Sequence, residues 1–182
     1  MTKPRKEAQN RYYLITPDSD TYDSLLPSNP KDWSAFDLLI GKSLAEQWLP
    51  VNVQRMKSGK SGDFPSLANH VPVFSIRALQ VLGPLLEDSI EALPLACKGH
   101  SFYAINVLKV LDCLDKDKSE ITWLPSGGAM FIDRYVLKKD YIKGQHIFKM
   151  VEMVLRRPIV SEMFKKTVEQ ASLEGLIFEE IV

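Results

Sequence analysis

Residues 62–115 read GDFPSLANHVPVFSIRALQVLGPLLEDSIEALPLACKGHSFYAINVLKVLDCLD, and this stretch constrains the rest of the chain. Ser75 stands as an N-cap before Ile76, Leu79, Leu82 and Leu86, which recur at helical spacing. Ala78, Val81 and Leu85 widen the apolar stripe. The Gly83-Pro84 pair then predicts an end or a kink. After Leu93-Pro94-Leu95, residues Phe102 to Leu111 are apolar at most positions, with Asn106 the polar exception in the interior. That pattern suits a central strand covered on both faces. The helix has an apolar stripe to bury, and this strand offers the surface for it.

The flanking segments add strands and a second helix. Residues 1–10 read as a disordered basic tail. Arg11 to Thr16, RYYLIT, predicts a strand stopped by Pro17, and Trp33 to Leu39 a short helix. Leu49 to Met56 alternates, with Val51, Val53 and Arg55 on one side. Ser119–Leu124 and Ala129–Lys138 form a hairpin signal around Pro125-Ser126-Gly127-Gly128. Gln145 to Val151 predicts a further strand. Ser161 is a second N-cap, followed by Phe164, Thr167 or Val168, and Ala171 on one stripe, then Gly175 and a closing strand from Leu176. Strands with two or three helices and no regular βαβ alternation predict an α+β fold with a largely antiparallel sheet. Residues 11–182 are expected to form a single domain.

The chain holds 23 basic and 23 acidic side chains, so its formal net charge is zero. Duplex binding rests on a basic face, so direct nucleic-acid binding is not expected. No apolar run approaches the roughly 18–20 residues of a spanning helix, and the basic N-terminus lacks the apolar segment of a secretory signal. A cytoplasmic location without membrane contact is the expectation. Cys97 and Cys113, in apolar settings, then read as free thiols. With His70, His100 and His146 they make no zinc-binding pattern, so no metal and no cofactor is expected.

Other candidates for chemistry resolve into structure. Gly59-Lys60-Ser61 lacks the preceding glycine and following helix of a phosphate loop. Cys97 and His100 stand three apart across a Lys-Gly turn, which does not bring a base onto the sulfur. Gly62-Asp63-Phe64-Pro65 reads as a turn with Phe64 as a core plug. Arg77, a cation in the first turn of its helix, opposes the helix dipole, and Asp63 is the natural compensating partner. Trp33, Trp48 and Trp123 belong to the core or its rim, or else anchor a partner.

Asp112, Asp115, Asp117 and Glu120 line an edge after the long strand, interleaved with Lys116 and Lys118. Residues 61–130 carry eight acids and five bases, an excess of 8 − 5 = 3 negative charges. A solvated loop is the plain reading; a contact surface for a basic partner, with Trp123 beside it, is the functional one.

The order of these pieces resembles the eleventh-numbered immunity-protein family of bacterial polymorphic toxin systems. The resemblance rests on Tyr12-Tyr13, Trp33, Gly41 to Trp48, Gly62-Asp63-Phe64-Pro65, Pro72 with Phe74-Ser75-x-Arg77-Ala78, and Leu93-Pro94-Leu95. It continues through Tyr103-x-x-Asn106-Val107, Leu111-Asp112-x-Leu114-Asp115, Ser119, Ile147-Phe148-Lys149, Ile159-Val160-Ser161-x-x-Phe164 and Leu173-x-Gly175-Leu176-x-Phe178. It implies a small cytoplasmic protein made beside a toxin gene, which binds the cognate toxin domain and protects the producing cell without catalysis. Nucleases are among the toxins so implied. An adaptor or loading chaperone for a secreted effector is the competing expectation. Neither fixes an oligomeric state.

Overall fold

The computed structural model describes residues 11–56, 59–68 and 71–181. The expected tail at residues 1–10, His70 and part of the KSGKSG turn lie outside the described residues. The first half runs β1 (Tyr12–Pro17), β2 (Ser24–Pro27), α1 (Trp33–Phe36), β3 (Val51–Met56), β4 (Val73–Ser75), α2 (Ile76–Leu86), β5 (Ile90–Cys97) and β6 (His100–Val107). The second runs β7 (Val110–Leu111), β8 (Glu120–Trp123), β9 (Ala129–Arg134), α3 (Lys139–Ile142), β10 (Ile147–Met150), β11 (Ile159–Ser161), α4 (Glu162–Gln170) and β12 (Leu176–Glu180).

Among the described residues two five-stranded sheets result, in the orders β12-β1-β11-β10-β7 and β2-β3-β5-β6-β4, with β8-β9 a separate hairpin. Among the described residues, the β10–β7 and β3–β5 pairs are parallel, and the other named pairs are antiparallel. The fold is α+β and antiparallel pairing dominates. The expectation of one largely antiparallel sheet is corrected to two mixed sheets and a hairpin. The cause lies in the run Phe102–Leu111, which is not one strand. After Val107 the chain leaves the second sheet, and Val110–Leu111 joins the first, beside Lys149–Met150. Both halves are apolar, so periodicity carries no mark of the crossing.

Each N-cap serine works through its side chain: Ser75 Oγ accepts from Ala78 N at 3.0 Å and Ser161 Oγ from Phe164 N at 3.2 Å. Helix α2 does not end at Pro84 but continues to Leu86. Proline there forgoes a helical hydrogen bond, at a cost of about 3 kcal/mol. Leu82 and Leu86, fully buried on either side of it, hold the helix in place. Pro94 stands inside β5, at a point where β6 is its partner but β3, which joins at Leu95, is not.

Strand alternation sorts the core into layers. Tyr13, Ile15, Ile147 and Val160 of the first sheet and Phe74, Ile105 and Val107 of the second meet Ala78, Leu82, Leu86, Phe164 and Val168 of α2 and α4. The two helices are thus covered by both sheets. Tyr12, Leu14, Phe148, Met150 and Ile159 face the other way, toward Cys113, Leu114, Ile132, Leu137 and Ile142. Leu93, Leu95, Phe102 and Ala104 cover a third cluster with Phe36, Leu39 and Leu44. No described helix is long and apolar enough to cross a membrane.

Candidate partner-binding surface

The loop from Asp112 to Ser119 leaves the short β7 strand and delivers the chain to the hairpin. Asp115 closes it locally: its Oδ1 accepts from Lys118 N at 3.3 Å and its Oδ2 from Lys118 Nζ at 2.8 Å. That lysine holds the Asp115 carboxyl below its usual range. Lys138 Nζ stands 3.5 Å from Asp112 Oδ1, and Arg134 Nε donates to Glu120 Oε1 at 2.7 Å. Lys116 Nζ lies 2.9 Å from the carboxylate of the buried Glu152 side chain. Asp117 is exposed. The four acids are therefore interleaved with Lys116, Lys118, Arg134 and Lys138. Arg134 and Lys138 fall beyond residue 130, and they partly offset in space the excess negative charge of residues 61–130.

The hairpin presents apolar surface instead. Trp123 is 45% exposed and Phe131 48%, and Leu124 and Met130 are exposed beside them. The strands are staggered by irregularities between Glu120 and Ile121 and between Thr122 and Trp123. These shifts break simple alternation, so Met130 and Phe131 both face solvent while Ile132 reaches the core.

Asp63, Phe64, Pro65 and Arg77 form an internal clip. Asp63 Oδ1 accepts from Ser75 Oγ at 2.8 Å, and Oδ2 from Arg77 Nη1 at 2.9 Å and Glu174 N at 3.1 Å. Arg77 Nη2 donates to the carbonyls of Ala171 at 2.6 Å and Ser172 at 3.2 Å. A cation misplaced for the dipole of α2 is well placed for the C-terminal end of α4. Phe64 packs edge-on against Phe74 at 5.3 Å, and Pro65 is buried.

Asn106, fully buried, clamps the loop after α1. Its Oδ1 accepts from Gly41 N at 3.3 Å, and its Nδ2 donates to Lys42 O at 2.7 Å and Glu91 Oε2 at 3.1 Å. Burial alone would raise the Glu91 carboxyl, but bonds from Ser43, Leu44, Asn106 and Ala45 hold it below the usual carboxylate range.

Lys149, quoted above only as part of the Ile147-Phe148-Lys149 piece, carries no role that the sequence assigns. It sits on β10, only 1% exposed, and its Nζ donates to Val154 O at 2.9 Å and Leu39 O at 3.4 Å. Burial pushes its ammonium down to about 8. A lysine inside the apolar run Ile147-Phe148-Lys149-Met150 was the available signal.

Side chains that could act as nucleophile or base are engaged in structural contacts. Ser161 Oγ lies 2.9 Å from His146 Nδ1, yet the same oxygen caps α4. His100 Nε2 meets Arg55 Nη1 at 2.7 Å, and its ring stacks on Phe102. Burial pushes the Cys113 thiol up to about 11, which keeps it protonated and unreactive. Among the described residues, no group of three or more His, Cys, Asp or Glu side chains is arranged to hold a metal ion.

The geometry defines an α+β protein of two mixed sheets whose polar clusters tie loops and helices together and whose hairpin exposes apolar side chains. Residues 95–182, just under half of the chain, match the model of the immunity protein family (Imm11), the family that the ordered motifs resemble. The pieces of the resemblance from Tyr12 to Pro94 precede the matched residues. No curated protein matches the chain.

Proposed function

We propose that this chain is an immunity protein that binds a cognate toxin domain, encoded nearby, and neutralises it without catalysis. The family match over residues 95–182 carries the reading. That segment contains the Asp112–Glu120 loop and the β8–β9 hairpin, and the proposed contact includes Asp112, Asp115, Asp117, Glu120 and Trp123. An exposed tryptophan in an apolar setting is the residue type that dominates protein interfaces. The chain works as one domain over residues 11–182, in the cytoplasm of the producing cell, with no cofactor and no direct contact to nucleic acid. Asp63, Phe64, Pro65, Arg77 and Asn106 hold the scaffold that presents this face. A nuclease toxin, with its basic substrate-binding face, is one partner that the loop carboxylates suit.

Co-expression tests the reading. The toxin domain encoded beside this gene is induced in a susceptible strain, with and without this chain. Survival restored by this chain, together with a stoichiometric complex of the purified proteins, is the expected result. Export of the toxin aided without any rescue of growth would transfer the chain to the adaptor class. Neither complex nor rescue would remove the immunity reading.

A further inference from the structure

A groove of about 390 Å³ runs between the hairpin and the outer face of the first sheet. Met130 and Phe131 of β9 form one wall; Met150 and Met153 form the floor; Arg156 and Arg157 stand at the rim. Methionine is unbranched and polarizable, so a Met-lined wall adapts to an inserted side chain. Phe131 and Met130 are exposed, as a partner's anchor point must be. Arg157 is engaged by Thr16 and Glu179, while Arg156 is exposed at the rim.

We propose that this groove seats a segment of the toxin domain that carries apolar anchors and an acidic side chain. The proposal rests on the immunity reading above and names the surface and the chemistry of the contact. Charge decides the occupant. A contact between two copies sets like patches against each other across a two-fold axis. That would bring Arg156 and Arg157 of one copy toward those of the other, with the groove's carboxylate, Glu179, already bound by Arg157. An acidic segment meets no such conflict: the apolar wall takes its anchor and Arg156 its carboxylate.

The test is calorimetric titration of the full chain with the neighbouring toxin domain, inactivated by substitution at its own active site. Phe131→Ala is expected to weaken binding about tenfold or more, as truncation of an interface anchor does. Arg156→Glu is expected to weaken it about tenfold and to flatten its salt dependence. Leu49→Ala, at a position 81% exposed in the segment just before β3, should bind as the parent does. Thermal melts check that each variant folds. If the parent binds and both groove variants bind equally well, the groove proposal falls and the immunity reading stands. If the parent does not bind, both fall. If Phe131→Ala abolishes self-association in sedimentation while leaving toxin affinity unchanged, the occupant is a second copy and the proposal is overturned.

Discussion

Arg77 and Asp63 meet at 2.9 Å, and through this contact the Gly62–Pro65 turn, the start of α2 and the end of α4 are held together. The two residues are not equivalent. The Asp63 side chain is buried and serves Ser75, Arg77 and Glu174 at once, whereas Arg77 is half in solvent.

Asp63→Ala should therefore cost more than Arg77→Ala. Removing the carboxylate strands several donors at a buried point, a loss of about 2–4 kcal/mol. Removing the exposed guanidinium should cost about 1 kcal/mol, because solvent screens the pair. Urea denaturation of the two variants measures the difference; equal costs would show that Asp63 does not organise the cluster.

Leu82 is fully buried between the two sheets. Leu82→Ala should cost about 2–5 kcal/mol through lost transfer energy and the cavity left behind. A midpoint in urea unchanged from the parent would remove α2 from the core.

Gly41 adopts φ +90°, and a Cβ there would clash with Val110 Cγ2. Gly41→Ala meets both backbone strain and a packed neighbour, so a loss of about 1–3 kcal/mol is expected. Hydrogen exchange should localise the loosening to residues 39–45, the loop that Asn106 and Glu91 hold. Uniform protection with unchanged stability would contradict it.

Lys149 gives the protein a defined pH dependence. Its folded value of about 8 lies below the ordinary 10.5. Between these values the unfolded chain binds more protons than the native one, so the Lys149 contribution to stability rises with pH through that window. The full rise is about 3 kcal/mol by the conversion of about 1.4 kcal/mol for each pKa unit. Tyr13, pushed up to about 12 by burial and by its bond to Glu162, acts in the opposite sense as pH passes the unfolded tyrosine value. The parent curve therefore mixes signs, and the difference curve against Lys149→Met isolates the lysine. A difference flat from pH 7.5 to 10.5 would show that Lys149 is not held by burial.

Local chemistry was legible in the sequence wherever neighbours in the chain decide it. Ser75 and Ser161 announced their helices because capping is a contact three residues long. Val51, Val53 and Arg55 announced a strand face, although the partner of Arg55, Asp23 at 2.7 Å, comes from the residue before β2, far away in sequence. What could not be read is set by non-local pairing. The run Phe102–Leu111 belongs to two sheets, and its residues are apolar in both. Leu86 outweighs Pro84 through contacts that α2 alone does not contain. The Asp112–Glu120 edge looked acidic because Arg134 and Lys138 approach it only once the hairpin has folded back.

That interleaving of charge makes Trp123 and Asp117 the informative pair for the proposed contact. Asp115→Lys would break the loop that it closes with Lys118, so its effect on binding would be indirect. Asp117 is exposed, and Asp117→Lys should change stability by less than about 0.5 kcal/mol, as surface substitutions do. On a contact surface it should slow association with the neighbouring toxin domain, and added salt should shrink the difference from the parent. Trp123→Ala removes a 45%-exposed indole and should weaken the complex by about 2 kcal/mol, mainly through faster dissociation. Surface plasmon resonance separates the two rates. Slower association in Asp117→Lys with faster dissociation in Trp123→Ala places the loop and the hairpin in one interface. Unchanged rates in Asp117→Lys, beside a clear loss in Trp123→Ala, confine the contact to the hairpin. Unchanged rates in both, from folded proteins that still rescue growth, would move the contact away from the β8–β9 region altogether.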